Sequence, residues 1–461
     1  MTRARETGRW LAVLALFLLL VALPVASPAQ ECRISVNTSF DQLYPDISGS
    51  RIVWQDSNDN NLRLFDLSTG IETELTAGSN QHTLPVIDGP LVAWLENPFA
   101  PYQVTLLNLT AGTTRILSAS GYSPDISGDR VIWQDSGGTP GIALFNSADG
   151  SQGMVVTGPS DQTQPAISGD MVTWVNGSSS EQIYGKSLST GDETLVAQTS
   201  CSNPPCIIDT AISGNRVAWS DYRDDFDRDL YFTDSGSLVE KLVADYPVDQ
   251  TSPAIDGDRI VWMNGTDLWL GDLTGANPSV PITAGSGNYR PKISGDRIVW
   301  YKDVGGKKDI YLETVGSSLA CPGAAYTANT TSGLSPLTVQ FTDTSTGSPG
   351  HWLWEFGDGT TSTDENPVHT FASDGSYSIA LTVSSPVGRD YTTRADSIRV
   401  GPVPMVSFTV NQTYGIAPLP ARFTDTSSGS PTGWSWDFGD GATSADRNPT
   451  HTYLAPGNYT V

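Results

Sequence analysis

The feature that most constrains this chain is a tryptophan that recurs at nearly constant spacing from residue 54 to residue 300. Each of these seven tryptophans stands seven residues after the isoleucine of an Ile-Ser-Gly or Ile-Asp-Gly turn, at intervals of 40, 39, 41, 45, 43 and 38 residues. Such a period is typical of a four-stranded propeller blade. The pattern predicts an all-β fold whose first domain, residues 30–321, is a seven-bladed β-propeller. We expect the repeated tryptophans to form its core: Trp54, Trp94, Trp133, Trp174, Trp219, Trp262 and Trp300.

Each repeat contains four short segments of β-strand composition separated by polar turns. The first runs from Tyr44 to Asp56 through an Ile-Ser-Gly turn, and continues with a strand over Asn61–Leu67 and another over Glu72–Thr76. The turn glycine supplies the positive φ of a tight hairpin, and the apolar run before the tryptophan suits a strand covered on both faces. A proline stands two residues before the isoleucine in six of the seven repeats. We expect it to begin the innermost strand, where a missing N–H costs little.

The register also predicts how the ring closes. The seventh repeat has no fourth strand after Ile310–Glu313, whereas Cys32–Val36 lies where a preceding outer strand would fall. We therefore expect the N-terminal strand to complete the seventh blade.

Four cysteines in an exported chain predict two disulfides. Cys201 and Cys206 are close enough to bridge one loop, which leaves Cys32 and Cys321, on either side of the repeats, as the second pair. The alternative is free or metal-binding thiols, but no histidine or second Cys-x-x-Cys lies nearby to complete a zinc site.

The N-terminus indicates export. Three arginines, an apolar run from Leu11 to Val25 and a Ser-Pro-Ala ending at Ala29 are typical of a signal peptide over residues 1–29. An uncleaved anchor is the alternative, although Pro24 interrupts a run that is already short for a membrane span. We expect no transmembrane span after cleavage, and a secreted or cell-surface location. The net charge of −25 argues against binding to nucleic acid or an anionic membrane.

A second repeat, with an offset of 82 residues, follows Cys321. Phe341, Trp352, Trp354, Phe356, His369 and Tyr377 recur as Phe423, Trp434, Trp436, Phe438, His451 and Tyr459. The Trp-x-Phe-Gly-Asp-Gly motifs at Trp354 and Trp436, with Asn-Pro-x-His-Thr and Gly-x-Tyr downstream, resemble the PKD domain, an immunoglobulin-like β-sandwich. The resemblance implies one module over 322–401 and a second over 402–461, with Trp354 and Trp436 as core residues. Val461 aligns with Ile379, so we expect the second module to lack its final strand.

The first 320 residues resemble TolB-type propellers through their Ser-Gly-Asp-Arg-Ile-Val-Trp and Asp-Ile-Tyr-Leu patterns. Together with PKD modules, they look like archaeal or bacterial cell-surface proteins. The resemblance is informative about fold and says little about activity, because such propellers occur in binding platforms and in enzymes.

A side-chain oxygen lies two residues beyond each repeat tryptophan. Asp and Asn there commonly bond their own turn, which is the simpler interpretation. The alternative is a ring of ligands for a cation or partner on one face of the propeller. The residues are Asp56, Glu96, Asp135, Asn176, Asp221, Asn264 and Asp303.

Blade five adds four further aspartates to this ring within nine residues. Clustered carboxylates suit calcium, although the segment is not an EF-hand, since it lacks a glycine at position six and a glutamate at position twelve. Two arginines within the segment offer the alternative of a neutralised, solvated loop. No cofactor is required, and calcium is the candidate ligand of Asp221, Asp224, Asp225, Asp227 and Asp229.

Catalysis finds little support in the sequence. His82 is the one histidine of the repeat region, and no Gly-x-Ser-x-Gly elbow occurs. We predict no catalytic residues and a non-enzymatic protein that binds a cell-envelope protein or glycan, with PKD modules as spacers or adhesive units. A structural surface-layer component is the first alternative. A carboxylate-dependent hydrolase or lyase is the second.

Overall fold

The structure is a computed structural model that describes residues 31–35, 40–78, 80–96, 102–158, 161–177, 181–199, 207–222, 227–234, 240–244, 247–283, 285, 287–317, 320–401, 405–429 and 431–461. The predicted signal peptide and the Cys201–Cys206 pair lie outside these residues. Regular structure within them consists of strands alone. Contacts divide the chain into two compact units, Met1–Pro322 with Ser384–Asp390, and Gly323–Val383 with Tyr391–Val461.

The first unit contains 28 described strands in seven antiparallel four-stranded sheets. The strands are β1 (Cys32–Arg33), β2 (Gln42–Ser48), β3 (Arg51–Asp56), β4 (Asn61–Asp66), β5 (Ile71–Glu74), β6 (His82–Asp88), β7 (Leu91–Glu96), β8 (Gln103–Asn108), β9 (Thr113–Ser118), β10 (Gly121–Ser127), β11 (Arg130–Asp135), β12 (Gly141–Asn146), β13 (Gln152–Thr157), β14 (Asp161–Ser168), β15 (Met171–Gly177), β16 (Gln182–Ser187), β17 (Glu193–Gln198), β18 (Ile207–Ser213), β19 (Arg216–Asp221), β20 (Asp229–Asp234), β21 (Lys241–Ala244), β22 (Gln250–Asp256), β23 (Arg259–Asn264), β24 (Asp267–Asp272), β25 (Val280–Pro281), β26 (Asn288–Ser294), β27 (Arg297–Asp303) and β28 (Lys308–Thr314).

The second unit consists of two sandwich modules in sequence order. The first module pairs β29 with β31 and β34 in one sheet, and orders the other as β30-β36-β35-β32-β33. The second pairs β37 with β38 and β41, and β39 with β40. The strands are β29 (Tyr326–Ala328), β30 (Ser332–Gly333), β31 (Leu337–Asp343), β32 (His351–Glu355), β33 (Thr361–Ser362), β34 (Val368–Phe371), β35 (Gly375–Ser385), β36 (Gly388–Val400), β37 (Phe408–Val410), β38 (Leu419–Asp425), β39 (Trp436–Asp437), β40 (Thr443–Ser444) and β41 (Thr450–Tyr453).

The repeated tryptophans lie in the cores between blades, each at most 3% exposed. Trp54, for example, packs with residues of its own blade and with Val299 and Ile310 of blade seven. The indole N–H of Trp54 donates to Gln42 Oε1 at 2.6 Å. The Trp54 indole thus has its apolar body between two sheets and its polar atom satisfied within its own sheet.

The Ile-Ser/Asp-Gly motif links the blades in a complete circle. In every blade, the Ser or Asp side chain accepts a hydrogen bond of 2.5–3.1 Å from the turn glycine N–H of the following blade. Those glycines have φ between 53° and 63°, a conformation that disfavours other residues. The acceptors and their donors are Ser48 and Gly89, Asp88 and Gly128, Ser127 and Gly169, Ser168 and Gly214, Ser213 and Gly257, Asp256 and Gly295, and Ser294 and Gly49.

An arginine reinforces five of these seven links. It stands four residues after the motif isoleucine and donates to the carbonyl of the same glycine on the next blade, at 2.7–3.2 Å. The turn glycine is therefore held at both its N–H and its C=O. Leu91 and Met171 occupy the arginine position in the other two blades. The arginines are Arg51, Arg130, Arg216, Arg259 and Arg297.

The ring closes as the sequence register predicted. β1 pairs antiparallel with β28 and supplies the outermost strand of blade seven. Cys32 and Cys321 form a disulfide that joins chain positions 289 residues apart, which confirms this predicted pair. The chain-entropy estimate for so long a loop is about 5–6 kcal/mol, an upper bound because the shared blade already restrains both ends.

A buried carboxyl group lies beside this seam. Glu313, on β28, is 5% exposed, and its Oε2 atom has no hydrogen-bond partner among the described residues. Burial, with a smaller contribution from nearby Glu31, raises the pKa of Glu313 to about 7. Glu31 itself forms an ion pair with Lys302. The seam thus contains a carboxyl that the folded protein favours in its neutral form.

The two PKD-like modules reproduce the same internal contacts. Trp354 and Trp436 are buried and donate their indole N–H to the carbonyls of Asp364 and Asp446, at 2.9 and 2.8 Å. His369 stacks on Phe356 and bonds Asp358 at 2.8 Å. In the second module, the equivalent His451 stacks on Phe438 and bonds Asp440 at 2.7 Å. The recurrent histidines therefore serve the sandwich itself.

Removing one link of the inter-blade circle should lower the stability of the propeller. Asp256→Ala deletes the acceptor for Gly295 N–H, and we expect a loss of about 1 kcal/mol in the free energy of unfolding. Asp296→Ala is the matched control, because Asp296 lies in an equivalent turn without a side-chain link. Urea unfolding of both variants measures the difference, and equal midpoints would contradict a stabilising circle.

The buried Glu313 predicts a stability that falls as the pH rises. A carboxyl with a raised pKa in the folded state contributes its full stability below its ordinary value of 4.5 and loses it as the pH approaches 7. Glu313→Gln should remove up to about 3 kcal/mol of this pH-dependent change. The measurement is the melting temperature from pH 4.5 to 8, with exposed Glu193→Gln as control. A pH profile unchanged from that of the parent protein would refute the assignment.

Candidate functional site

Each innermost strand of the propeller contains a bulge at the same place. The register of pairing shifts in all seven, and at each shift a non-glycine residue adopts φ between 47° and 60°. Six of these residues precede the repeat proline, and the seventh precedes Thr210. The residues are Tyr44, Leu84, Ser123, Gln164, Asp209, Ser252 and Arg290.

This geometry corrects the expectation that the prolines begin the innermost strands. Pro45 is the fourth residue of β2, and the register shift between Leu43 and Asp46 leaves it in the unpaired part of the bulge. A residue there needs no ladder hydrogen bond, so the missing N–H of proline costs nothing.

The residue before each proline has a constant backbone and a variable side chain. A left-handed conformation costs a non-glycine residue about 1–2 kcal/mol. The chain uses glycine freely in its turns, yet none of the seven bulges contains one. Six different residue types instead occupy these positions. Strained residues of this kind cluster at functional sites, where the side chain itself is required.

These side chains surround one end of the central channel, which we call the channel mouth. A cavity of about 260 Å³ there is lined by six of the seven left-handed residues, by four repeat prolines and by Lys292. A second, more polar cavity of about 350 Å³ continues along the channel and shares Lys292 with the first. The two cavities are therefore continuous, and the side chains that line them differ from blade to blade.

The charged groups at the channel mouth differ in their partners. The guanidinium of Arg290 lies over the ring of Tyr44, 4.9 Å from its centroid. Asp209 accepts hydrogen bonds from the N–H and hydroxyl of Ser252. The side chain of Lys292 forms no hydrogen bond or ion pair with any residue that the structure describes. Arg290 likewise has only its ring contact among them.

Two carboxylates lie further along the channel. Asp46 and Asp125 each accept a hydrogen bond from the isoleucine N–H of the next blade, at 2.8 Å in both cases. Burial raises the pKa of both groups, that of Asp125 to about 6, although the charge of Lys292 and these N–H donors act in the opposite direction. These carboxylates hold neighbouring blades together as well as lining the channel.

Tyrosines extend the channel mouth over blade seven. Tyr289 is 43% exposed and stacks on Tyr301 with ring centroids 5.2 Å apart. Tyr301 in turn meets Tyr44 edge to face at 6.3 Å. An exposed aromatic surface thus adjoins the left-handed residues.

The predicted ring of acceptors lies on the same face, because Asp56 pairs in register with Gln42 at the start of its innermost strand. Its members mostly bond within their own blades. Asp56, Asp135 and Asp303 accept N–H groups of their own turns. Asp135 and Asp221 also accept the indole N–H of the preceding tryptophan.

Two further members of the ring form hydrogen bonds with nearby residues. Glu96 accepts from Asn80, Gln103 and Thr105, and Asn264 accepts from Gln250. The side-chain oxygen of Asn176 is buried without a described hydrogen-bond partner. A role of the ring in ligand binding stays a prediction.

The aspartates of blade five are not a single exposed cluster. Asp221 and Asp229 face each other in the β19–β20 pair and are 0% and 4% exposed, while Asp227 is half-buried. Asp224 and Asp225 lie outside the described residues. Within the part of the chain that the structure describes, no three carboxylate, histidine or cysteine side chains are placed to hold a metal ion. Calcium binding stays a prediction.

The sequence reasoning missed the channel mouth although its signal was present. The residue before each repeat proline differs from repeat to repeat, whereas the flanking Pro, Ile and Gly recur. Only the structure shows that this variable residue is left-handed and faces the cavity.

Residues 321–400 and 401–461 both match the model of the PKD domain. The C-terminal part of the chain is built of PKD domains. The resemblance inferred from the sequence is thereby confirmed for this part.

Curated relatives match over a short stretch. The chain is 51% identical over 39 residues to collagenase ColQ1 of Bacillus cereus strain Q1, and 49% identical over 39 residues to collagenase ColA of Bacillus cereus strain ATCC 14579. Each match covers 8% of this chain and 4% of the collagenase, so it says nothing about the remainder of either protein.

Solved structures similar to the chain include several propellers. An oligogalacturonate lyase in complex with manganese aligns with a TM-score of 0.47 and 14% identity, over 63% of this chain and 99% of the lyase. The propeller domain of the Trilobed protease from Pyrococcus furiosus has a TM-score of 0.48 and 11% identity, over 59% and 95% of the two chains. TolB from Acinetobacter baumannii has a TM-score of 0.38 and 14% identity, over 57% and 76%.

A search of the described residues for a helix long and apolar enough to cross a membrane finds none.

The strain at the channel mouth predicts that glycine stabilises one of its positions. Ser123→Gly should raise the free energy of unfolding by about 0.5–1 kcal/mol, because glycine adopts positive φ without a Cβ clash. Thr114→Gly, on the exposed part of β9, should lower it by a similar amount. Chemical denaturation of the two variants measures both changes in the free energy of unfolding, which should have opposite signs. A destabilised Ser123→Gly would show that the left-handed backbone is not strained.

Proposed function

We propose that this chain is a secreted or cell-surface, non-enzymatic binding protein whose propeller recognises a cell-envelope protein or glycan at the channel mouth. The observation that carries the proposal is the ring of left-handed residues. A fold that repeats its backbone sevenfold while varying the side chains at one strained position presents a specific surface on a rigid frame.

Export is supported by two independent features. The N-terminal sequence has the charged, apolar and small-residue regions of a signal peptide. The Cys32–Cys321 disulfide suits an oxidising compartment outside the cytosol.

The PKD modules suit a spacer or adhesive role. Their recurrent tryptophans and histidines are engaged in their own cores and turns: His369, for example, stacks on Phe356 and bonds Asp358. The described residues of these modules contain no catalytic constellation. We therefore assign recognition to the propeller.

The binding surface that we propose is the channel mouth, and not the acidic ring that the sequence suggested. Carboxylates such as Asp135 and Asp221 are engaged within their blades, whereas Arg290, Lys292 and the exposed Tyr289 lie at or beside the channel mouth. We place recognition at the mouth and keep calcium as a candidate ligand of the blade-five loop.

Capture from an envelope extract of the source organism tests this function. We expect the immobilised full-length chain to retain a defined component, and Gln164→Ala with Arg290→Ala to reduce retention at least tenfold by removing side chains of the mouth. Arg115→Ala, on the exposed outer strand β9, should retain it in full. Melting curves confirm that the double variant and the control variant are folded.

The same experiment separates the alternatives. Retention that is unaffected by the mouth variant, or no retention by a folded chain, would refute recognition at the channel mouth. Repeating the capture in calcium and in chelator, with Asp225→Asn and Asp227→Asn, tests the blade-five loop. Loss of retention both in chelator and in the aspartate variant would show a calcium-dependent contribution, and full retention in chelator and by that variant would exclude one.

A further inference from the structure

Two cationic side chains at the channel mouth form no hydrogen bond or ion pair with any described residue, although both line the same cavity. They are Arg290 and Lys292, which stand two residues apart on β26. Several other cations of the propeller, such as Arg33, Arg63 and Lys302, form ion pairs with carboxylates.

A shortage of carboxylates does not explain this arrangement. The chain has 50 acidic and 25 basic residues, so carboxylates outnumber cations two to one. Asp46 and Asp125, the carboxylates whose charges act on Lys292, are engaged with N–H groups of the next blade. A half-buried ammonium without an acceptor is costly unless a ligand supplies one. Lys292, half-buried with the exposed Arg290 beside it, therefore indicates an anionic ligand.

The walls of the cavity indicate which chemical groups the anionic ligand carries beside its negative charge. Pro45, Pro85, Pro124, Pro165 and Leu84 contribute apolar surface. The Tyr44 ring within the cavity is covered by Arg290, so it offers that face to the guanidinium and not to a sugar. At about 260 Å³, the cavity lies just below the usual range for a small-molecule pocket and suits the end of a larger molecule.

We infer that the channel mouth binds the free C-terminus of a partner polypeptide. The terminal α-carboxylate would accept charge-assisted hydrogen bonds from Arg290 and Lys292, and an apolar last side chain would pack among the prolines. This inference rests on the proposed function and names the chemistry of its ligand. An acidic glycan is the other class with a carboxylate, and the apolar walls favour the peptide.

Peptide arrays test the inference with the full-length chain. One array presents peptides tethered by their N-termini, with the last four positions varied and the carboxyl end free. A second array carries the same sequences with amidated ends. We expect binding to peptides with a free carboxylate and an apolar last residue, and at least tenfold weaker binding to their amides.

Variants locate the effect at the two cations. Arg290→Gln and Lys292→Gln should each weaken binding at least tenfold, Lys292→Arg should retain most of it, and Arg115→Gln should leave it unchanged. Melting curves of the variants exclude unfolding as the cause. Equal signals on the two arrays, no signal on either, or full binding by Lys292→Gln would overturn the inference.

The failure of this inference is distinguishable from failure of the proposed function. If envelope capture depends on the channel mouth while the arrays show no preference for free carboxylates, recognition stands and the C-terminal ligand is wrong. If the captured component resists protease and is destroyed by glycosidase, a glycan occupies the site and the inference is likewise overturned.

Discussion

The propeller depends on the circle of hydrogen bonds that joins each first turn to the next blade. Apolar contacts between sheets, including those of the repeated tryptophans, are strong but non-directional. A bond between a glycine N–H and a Ser or Asp oxygen is directional, so it fixes where each sheet sits relative to its neighbour. The hydrogen bond from Gly49 N–H to Ser294 Oγ joins blade one to blade seven and so closes the circle. β1 and the Cys32–Cys321 disulfide secure the same seam further out.

Because this circle of hydrogen bonds fixes the blades, the side chains at the opposite end of the channel can vary. Every innermost strand bulges at one point, and the residue there is left-handed whatever its side chain. The cost of each such residue is small against the cohesion of seven blades, and it aims a chosen side chain at the channel mouth. Arg290 and Lys292 gain their significance from this setting, because both line one cavity and their side chains have no hydrogen bond or ion pair among the described residues.

Several carboxylates form hydrogen bonds that stabilise the fold, and two of them, Asp135 and Asp221, belong to the ring that the sequence suggests as a binding surface. Asp135 and Asp221 hold indole N–H groups, and Asp46 and Asp125 hold backbone N–H groups of the next blade. In the PKD domains, Asp358 and Asp440 orient stacked histidines in the same manner. A count of acidic residues therefore overestimates the negative surface that is available to a ligand or to calcium.

The amino-acid sequence by itself determined the architecture of this protein. A 41-residue average period, a turn glycine at each Ile-Ser/Asp-Gly and the 82-residue offset of the PKD motifs follow from local turn chemistry and strand patterning, which neighbours in sequence control. They predicted the seven blades, the shared seventh blade and the Cys32–Cys321 bond. Only the tertiary structure decided what the repeated polar residues do, because the partner of Ser48 is Gly89 in another blade and the bulge at Tyr44 arises from pairing between strands. The channel mouth, which gathers side chains from all around the ring, has no counterpart in any one stretch of sequence.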